Sequence, residues 1–299
     1  MNPGKSQPGR KLFETPIYEL DVRGKKITVG PQPWIMGILN VTPDSFYDGG
    51  KFYEVERAVE RALSLIDEGA RIIDVGGEST RPGARELPAE EELKRVLPVI
   101  KKLRAKTSAL ISVDTRKSLV ARAALEEGAD IINDISAMTH DEQMAEIVAT
   151  FQVPVILMHM LGTPETMQLN PAYRNLLFDL KFFFLERIRL ARQKGIPEER
   201  IIIDPGIGFG KTLEHNLILI NHLDYFSDLN RPILVGPSRK SFIGAILEVP
   251  VDQRLEGTIA SVLVSLIRGA SLFRVHDVLG LKRALQVAQS IVNEIRMAG

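Results

Sequence analysis

Past residue 33, short runs of aliphatic and β-branched residues alternate with longer amphipathic stretches. The short runs fall at 35–41, 71–75, 109–113, 130–135, 153–158, 200–203, 232–235 and 271–275. They are apolar on successive residues (Ile-Ile-Asp-Val, Ile-Ile-Ile-Asp), the pattern of parallel strands covered on both faces. Helical periodicity occupies 54–68, 89–104, 118–127, 141–149, 173–194, 213–222, 255–268 and 280–295. Three of these stretches stop at Gly-Ala (Gly69-Ala70, Gly128-Ala129, Gly269-Ala270), where glycine can take the left-handed conformation past a helix end. Eight strand–helix units in about 265 residues is the count of an α/β (β/α)8 TIM barrel. An eight-stranded doubly wound open sheet is the alternative with the same alternation. Residues 17–29 predict an N-terminal β-hairpin turning at 21–25. No linker or composition shift divides the chain, so 12–299 is expected to form a single domain behind a flexible Pro/Gly-rich tail, 1–11.

Charge and composition narrow the function. Among 299 residues, 38 basic and 38 acidic side chains balance, which excludes nucleic-acid binding through bulk electrostatics. A small anion held by a few local cations remains open. The absence of Cys removes disulfides, thiolate nucleophiles, iron–sulfur clusters and cysteine-type zinc sites, and fits a reducing compartment. No uncharged apolar run reaches the roughly 18 residues of a membrane span; the longest, 260–273, contains Arg268. The N-terminus lacks the apolar core of a secretory signal. A cytoplasmic protein without nucleic-acid or membrane partners is expected.

In a barrel, chemistry sits where strands end, and nearly every run here ends in polar residues. Asn40, Thr42 and Asp44 follow the first; Asp74 and Glu78 to Arg81 the second; Asp114 to Arg116 the third; Asn133 and Asp134 the fourth. His159, Asp204, then Ser238 to Lys240, then Arg274, His276 and Asp277 complete the set. Singly, each reads equally as a helix cap or a solvated loop residue; together on one end of all eight strands they mark a site. The segment Gly206-Ile207-Gly208-Phe209-Gly210-Lys211-Thr212 fails the dinucleotide template at Lys211 and the phosphate-loop template at Pro205. It reads as a tight loop admitting a ligand to the backbone, or as a plain turn. No His-Glu-x-x-His occurs, and His159 and His276 lie on different strands, which argues against a histidine metal site.

The motifs Asn40-Val41-Thr42-Pro43-Asp44-Ser45-Phe46, Gly76-Gly77-Glu78-Ser79-Thr80-Arg81-Pro82-Gly83, Val113-Asp114-Thr115, Asn133-Asp134, Met158-His159-Met160, Asp204-Pro205-Gly206-Ile207-Gly208-Phe209, Ser238-Arg239-Lys240 and Arg274-Val275-His276-Asp277 together resemble the dihydropteroate synthases, the sulfonamide-inhibited enzymes of folate biosynthesis. The resemblance runs in order from about Trp34 to the C-terminus. It implies a TIM barrel, commonly a homodimer. The implied reaction condenses 6-hydroxymethyl-7,8-dihydropterin diphosphate with p-aminobenzoate, releasing diphosphate with Mg²⁺ assistance. It implies that Asp114, Asn133, Asp204 and Lys240 bind the pterin, and that Asn40, Thr80, Arg274 and His276 bind the diphosphate, Asn40 also serving as metal ligand. Phe46, Thr80, Arg81, Pro82, Phe209 and Ser241 would surround p-aminobenzoate, with the loops 42–52 and 80–86 closing as lids. Catalysis would rest on Asn40, Arg81, Lys240, Arg274 and His276. For Asp114 or Asp204 the alternative is a structural carboxylate paired with an arginine.

Two other readings share parts of this pattern. A pterin-binding methyltransferase domain would keep the barrel and the pterin carboxylates but has no need of a diphosphate site. A non-catalytic pterin-binding paralogue would lose loop or anion-site residues, and none is lost here.

Overall fold

A computed structural model of the chain describes residues 16–30, 32–42 and 50–292. The expected tail, Phe46 and most of the first lid loop lie outside them. Two short strands, β1 (Tyr18–Val22) and β2 (Lys25–Val29), form the antiparallel hairpin, turning through Arg23 and Gly24 with both φ angles positive. Eight parallel strands follow: β3 (Trp34–Asn40), β4 (Ile72–Gly76), β5 (Leu110–Asp114), β6 (Ile131–Asp134), β7 (Val155–Met158), β8 (Ile201–Asp204), β9 (Leu234–Val235) and β10 (Leu272–Val275). Their order is β8-β7-β6-β5-β4-β3-β10-β9, and a parallel bridge between Ile203 and Ile233 brings the two end strands together into a nearly closed (β/α)8 barrel. The open-sheet alternative is thereby excluded.

Helices α1 (Gly50–Glu68), α2 (Ala89–Arg104), α3 (Ser118–Glu126), α4 (Met144–Phe151), α5 (Leu176–Gln193), α6 (Leu213–Asn221), α7 (Ser241–Leu247), α8 (Leu255–Ile267) and α9 (Val278–Val292) wrap the strands. Gly69, Gly128 and Gly269 take φ of 117°, 106° and 97° at the three Gly-Ala stops. Asn175 caps α5 by accepting from Phe178 N–H, and Thr212 and His215 form a reciprocal capping box on α6.

Strand alternation divides the core in two. Outward-facing Leu39, Ile73, Val75, Ile111, Val113, Ile132, Val155, Leu157, Ile203 and Phe273 pack against the helices. Inward-facing Met36, Ile72, Ile131, Ile156, Ile202, Leu234 and Leu272 fill the N-terminal half of the barrel, and hairpin residues Tyr18, Leu20, Val22 and Val29 pack with them and Trp34. The N-terminal end is therefore plugged with apolar side chains. In the same inward phase, the C-terminal half carries Asp74, Ser112, Asn133, Asp204 and Arg274 instead, and this switch from apolar to polar places the site.

Candidate active site

Register brings distant residues side by side. Asp74 pairs across to Ser112, Gly76 to both Asn40 and Asp114, and Asp114 to Asn133. The Arg274 guanidinium lies among them, its Nε donating to Asp74 Oδ2 at 2.6 Å and its Nη2 to Asp114 Oδ2 at 2.8 Å. Asn133 Nδ2 donates to the same Asp74 oxygen at 3.1 Å. One fully buried carboxylate thus orients both the arginine and the amide. Burial pushes the Asp114 carboxyl up to about 7, against the pull of Arg274 and helped by repulsion from Asp74.

Across the mouth, Asp204 Oδ1 accepts from Gly206 N–H at 2.7 Å. Burial pushes its carboxyl upward, opposed by that hydrogen bond and by Lys240, Lys211 and Arg274. Lys240, at the start of α7, donates to the Ile207 carbonyl and stands 4.2 Å from the Phe209 ring centroid. Burial brings its ammonium down to about 7. These ionisable groups share one largely buried enclosure, where charge interactions are strong and each protonation state depends on its neighbours.

The rim completes the arrangement. Ser238 Oγ accepts from the His276 backbone N–H at 3.2 Å and lies 2.9 Å from His276 Nδ1. A hydroxyl donating to Nδ1 leaves the ring proton on Nε2. Burial, then Arg274 and Arg239, lower His276 to about 4, so it is a neutral donor at pH 7. Asn40 and His276 line one cavity of about 570 Å³ together with Arg57 and Arg61 of α1. Arg239, which carries a left-handed φ, grips Asp277 with two bonds of 2.9 and 2.5 Å and so fixes the loop that presents Lys240. In the loop after β4, Thr80 is half-buried and Arg81 and Pro82 are exposed; the Arg81 charge reaches His276 electrostatically. Phe209 is half-buried and Ser241 exposed at the N-terminus of α7.

Sequence reasoning gave no individual role to two side chains, Asp74 and Lys211. Asp74 was one polar residue among many, yet it shares the inward phase of Ile72, which was the available signal. Lys211, noted only as a mismatch to a template, is buried and sends its amine to Phe209 O at 2.9 Å, His159 Nδ1 at 3.1 Å and His159 O at 3.3 Å. These contacts staple the glycine loop to the end of β7. Burial and the Lys211 charge lower His159 to about 2, making it a neutral structural acceptor. The glycines serve that packing as well: a Cβ on Gly206 would sit 2.0 Å from His159 O, and one on Gly210 2.6 Å from Leu161 Cβ. The close approach at this loop is thus made by the protein's own chain.

Residues 36–276 match the family described as pterin binding enzyme. A dihydropteroate synthase of Clostridium beijerinckii is 45% identical over 274 residues, covering 91% of this chain and 99% of the relative. The Xanthomonas albilineans dihydropteroate synthase with 4-aminobenzoic acid superimposes with a TM-score of 0.87 at 44% identity, covering 94% of this chain and 100% of the other. The same enzyme in complex with 7,8-dihydropteroate gives a TM-score of 0.83 at 42% identity, covering 93% and 100%. Likeness of sequence and of fold, each over nine-tenths of the chain, agree: this chain belongs to the pterin-binding enzymes and, within them, to the dihydropteroate synthases.

Proposed function

We propose that the barrel mouth performs the synthase reaction with the following division of labour. The bond from the pterin methylene carbon to the diphosphate oxygen breaks, and the p-aminobenzoate nitrogen forms the new bond to that carbon. Diphosphate leaves with the bonding electrons, and the new amine's extra proton passes to water or diphosphate. Asp204 accepts the paired donors of the pterin's amino group and ring N–H, a match that favours its ionised form. Asp114 and Asn133 bind the other ring nitrogens, and Lys240 the carbonyl edge. Asn133 spends its Nδ2 on Asp74, which turns the amide oxygen toward a ring N–H.

Arg274, His276, Thr80 and Asn40 hold the diphosphate. Their donors are fixed before charge develops on the leaving oxygen, so they favour the transition state. The pterin ring can delocalise positive charge from the methylene, so departure of diphosphate precedes attack. An aromatic amine is already unprotonated at pH 7, and no strong general base is needed. Arg81 answers the carboxylate of p-aminobenzoate, with Thr80, Pro82, Phe209, Ser241 and Phe46 around its ring. Closing the loops over this pocket excludes water that would otherwise capture the cation.

For Mg²⁺, the donor chemistry is the test. Among the described residues no group of three His, Cys, Asp or Glu could hold an ion. The amide oxygen of Asn40 overhangs Gly76 inside the mouth, 3.9 Å from where a Cβ on that glycine would lie. A single neutral oxygen fits a hard ion that keeps its waters and takes phosphate oxygens. Such an ion, when bound, neutralises charge on the diphosphate.

We also place the protein in the cytoplasm as a homodimer. Among the described residues no helix is long and apolar enough to cross a membrane. The neighbouring helices α6, α7 and α8 leave Leu217, Ile246, Leu247, Val264 and Ile267 exposed, apolar surface that a second copy would cover.

The observation that carries the proposal is the enclosure of Asp204, Lys240, Asp114 and Arg274 in one barrel mouth. Its test is diphosphate release requiring both substrates, with Asp204→Asn as the site control. The amide would set a donor against a substrate donor, so kcat/KM should fall by roughly 10³ or more with folding unchanged. Near-normal turnover of folded Asp204→Asn protein refutes the pterin assignment.

A further inference from the structure

Behind the loop that follows β4 lies an ion-pair network that the reaction does not use. The Glu78 side chain is 7% exposed and accepts from three donors on two chain segments. Its Oε1 takes the backbone N–H of Leu87 at 2.9 Å and Arg116 Nη2 at 3.3 Å. Its Oε2 takes Lys117 Nζ at 2.7 Å, and that amine also donates to the fully buried Glu92 Oε2 at 2.7 Å. Because Glu78 begins the loop and Leu87 ends it, one carboxylate closes the segment 79–86 into a ring. Arg116 continues to Glu86 at 3.5 Å, and Glu86 to His140 at 3.1 Å. The loop tip is held separately, by Gly83 N–H donating to Pro164 O at 3.0 Å.

The arrangement is balanced in charge. Glu78 and Glu92 face Lys117 and Arg116, two of each sign, all with side chains less than a tenth exposed. Such a group is costly to disturb, since removing one member strands another without its counter-ion. It is therefore rigid, and what it holds in place is the segment carrying Thr80, Arg81 and Pro82. Arg116 and Lys117 lie two and three residues past Asp114, so the network ties that loop to the strand end bearing a proposed pterin carboxylate.

We propose that Glu78, clamped by Lys117 and Arg116, is a positioning residue that sets the p-aminobenzoate loop in register with the pterin site. The proposal rests on the reading of Thr80, Arg81 and Pro82 as p-aminobenzoate contacts.

The test is Glu78→Gln, which keeps the volume but turns an amide donor toward the Lys117 ammonium. The KM for p-aminobenzoate should rise and kcat/KM fall by roughly 10- to 100-fold, the scale of a small misplacement. Affinity for a pterin lacking the diphosphate should stay within about twofold, since Asp114, Asn133, Asp204 and Lys240 all lie outside this loop. Trypsin should cut Arg85–Glu86 faster, while Arg81–Pro82 resists because proline follows the arginine. Arg81→Ala is the control. If it leaves the p-aminobenzoate KM unchanged, the reading of the loop fails; if it raises KM while Glu78→Gln does not, the positioning proposal fails. Equal losses for both substrates with a lowered melting temperature mark Glu78 as merely structural and also overturn it. Should Glu78→Gln not fold, Arg116→Gln removes the arms to Glu78 and Glu86 but leaves Lys117 and the Leu87 N–H on the Glu78 carboxylate, and must give the same KM selectivity and faster cleavage.

Discussion

Burial moves Lys240 from an ordinary 10.5 to about 7, and the direction has opposite consequences for folding and for binding. Between about 7 and 10.5 the unfolded chain binds more protons than the folded one, so this group's contribution to stability rises with pH across that window. The cost of its charge is felt at and below neutral pH. On the proposed assignment binding runs the other way, because the pterin carbonyl and Asp204 would both favour the ammonium. Affinity for the pterin diphosphate should decline from pH 7 to 9, no more steeply than about tenfold per unit. Lys240→Met should bind weakly with that slope removed; calorimetry showing an undiminished slope assigns the titration elsewhere. Arg274 shows how pairing widens the effect of a substitution. From the sequence alone, Arg274→Ala is an anion-site lesion that spares the free pterin. In the structure it also strips the counter-ion from Asp74 and Asp114. Denaturant unfolding should show a loss of about 3–5 kcal/mol, and the free pterin should bind more weakly as well.

At the level of elements, the eight strands lie within two residues of the runs seen in the sequence, because burial on both faces writes itself directly into consecutive aliphatic residues. Helix α7 was not legible. Ser-Phe-Ile-Gly-Ala-Ile-Leu is too short to show a period, and its place after β9 comes from packing with α6 and α8. The glycine loop after β8 is a second case, since the sequence allows either a ligand cradle or a plain turn. Its three positive-φ glycines are required by contact with the end of β7 and with Lys240. Gly206→Ala should therefore cost roughly 3 kcal/mol, combining left-handed strain with a backbone clash. Gly195→Ala, at φ 84° with open space around it, should cost only about 1–2 kcal/mol. Equal shifts of the two denaturation midpoints would show that the His159 carbonyl yields.

For the whole molecule, the proposed assignment takes the pterin contacts and most diphosphate contacts from strand ends, and those for p-aminobenzoate mainly from loops on the rim. Loops held at a few points should gain order when the first substrate fills the mouth. The affinity of p-aminobenzoate should then be low for the free protein and higher with a pterin and diphosphate bound, by a coupling of about 1–3 kcal/mol. Equal calorimetric affinity in the two states would refute this order. The alternation of runs, the polar residues at each strand end and the family motifs are local properties of the chain, so the eight strand–helix units and the resemblance to the family were legible in the sequence alone, whereas closure into a barrel in place of an open sheet was decided by the pairing of the end strands. Which carboxylate meets which cation was not. Asp74 and Arg274 are two hundred residues apart, and only the strand register and the closing of the barrel bring their side chains to 2.6 Å. Burial, which moves Lys240 and Asp114 toward neutrality, likewise exists only after the strands and helices have enclosed them.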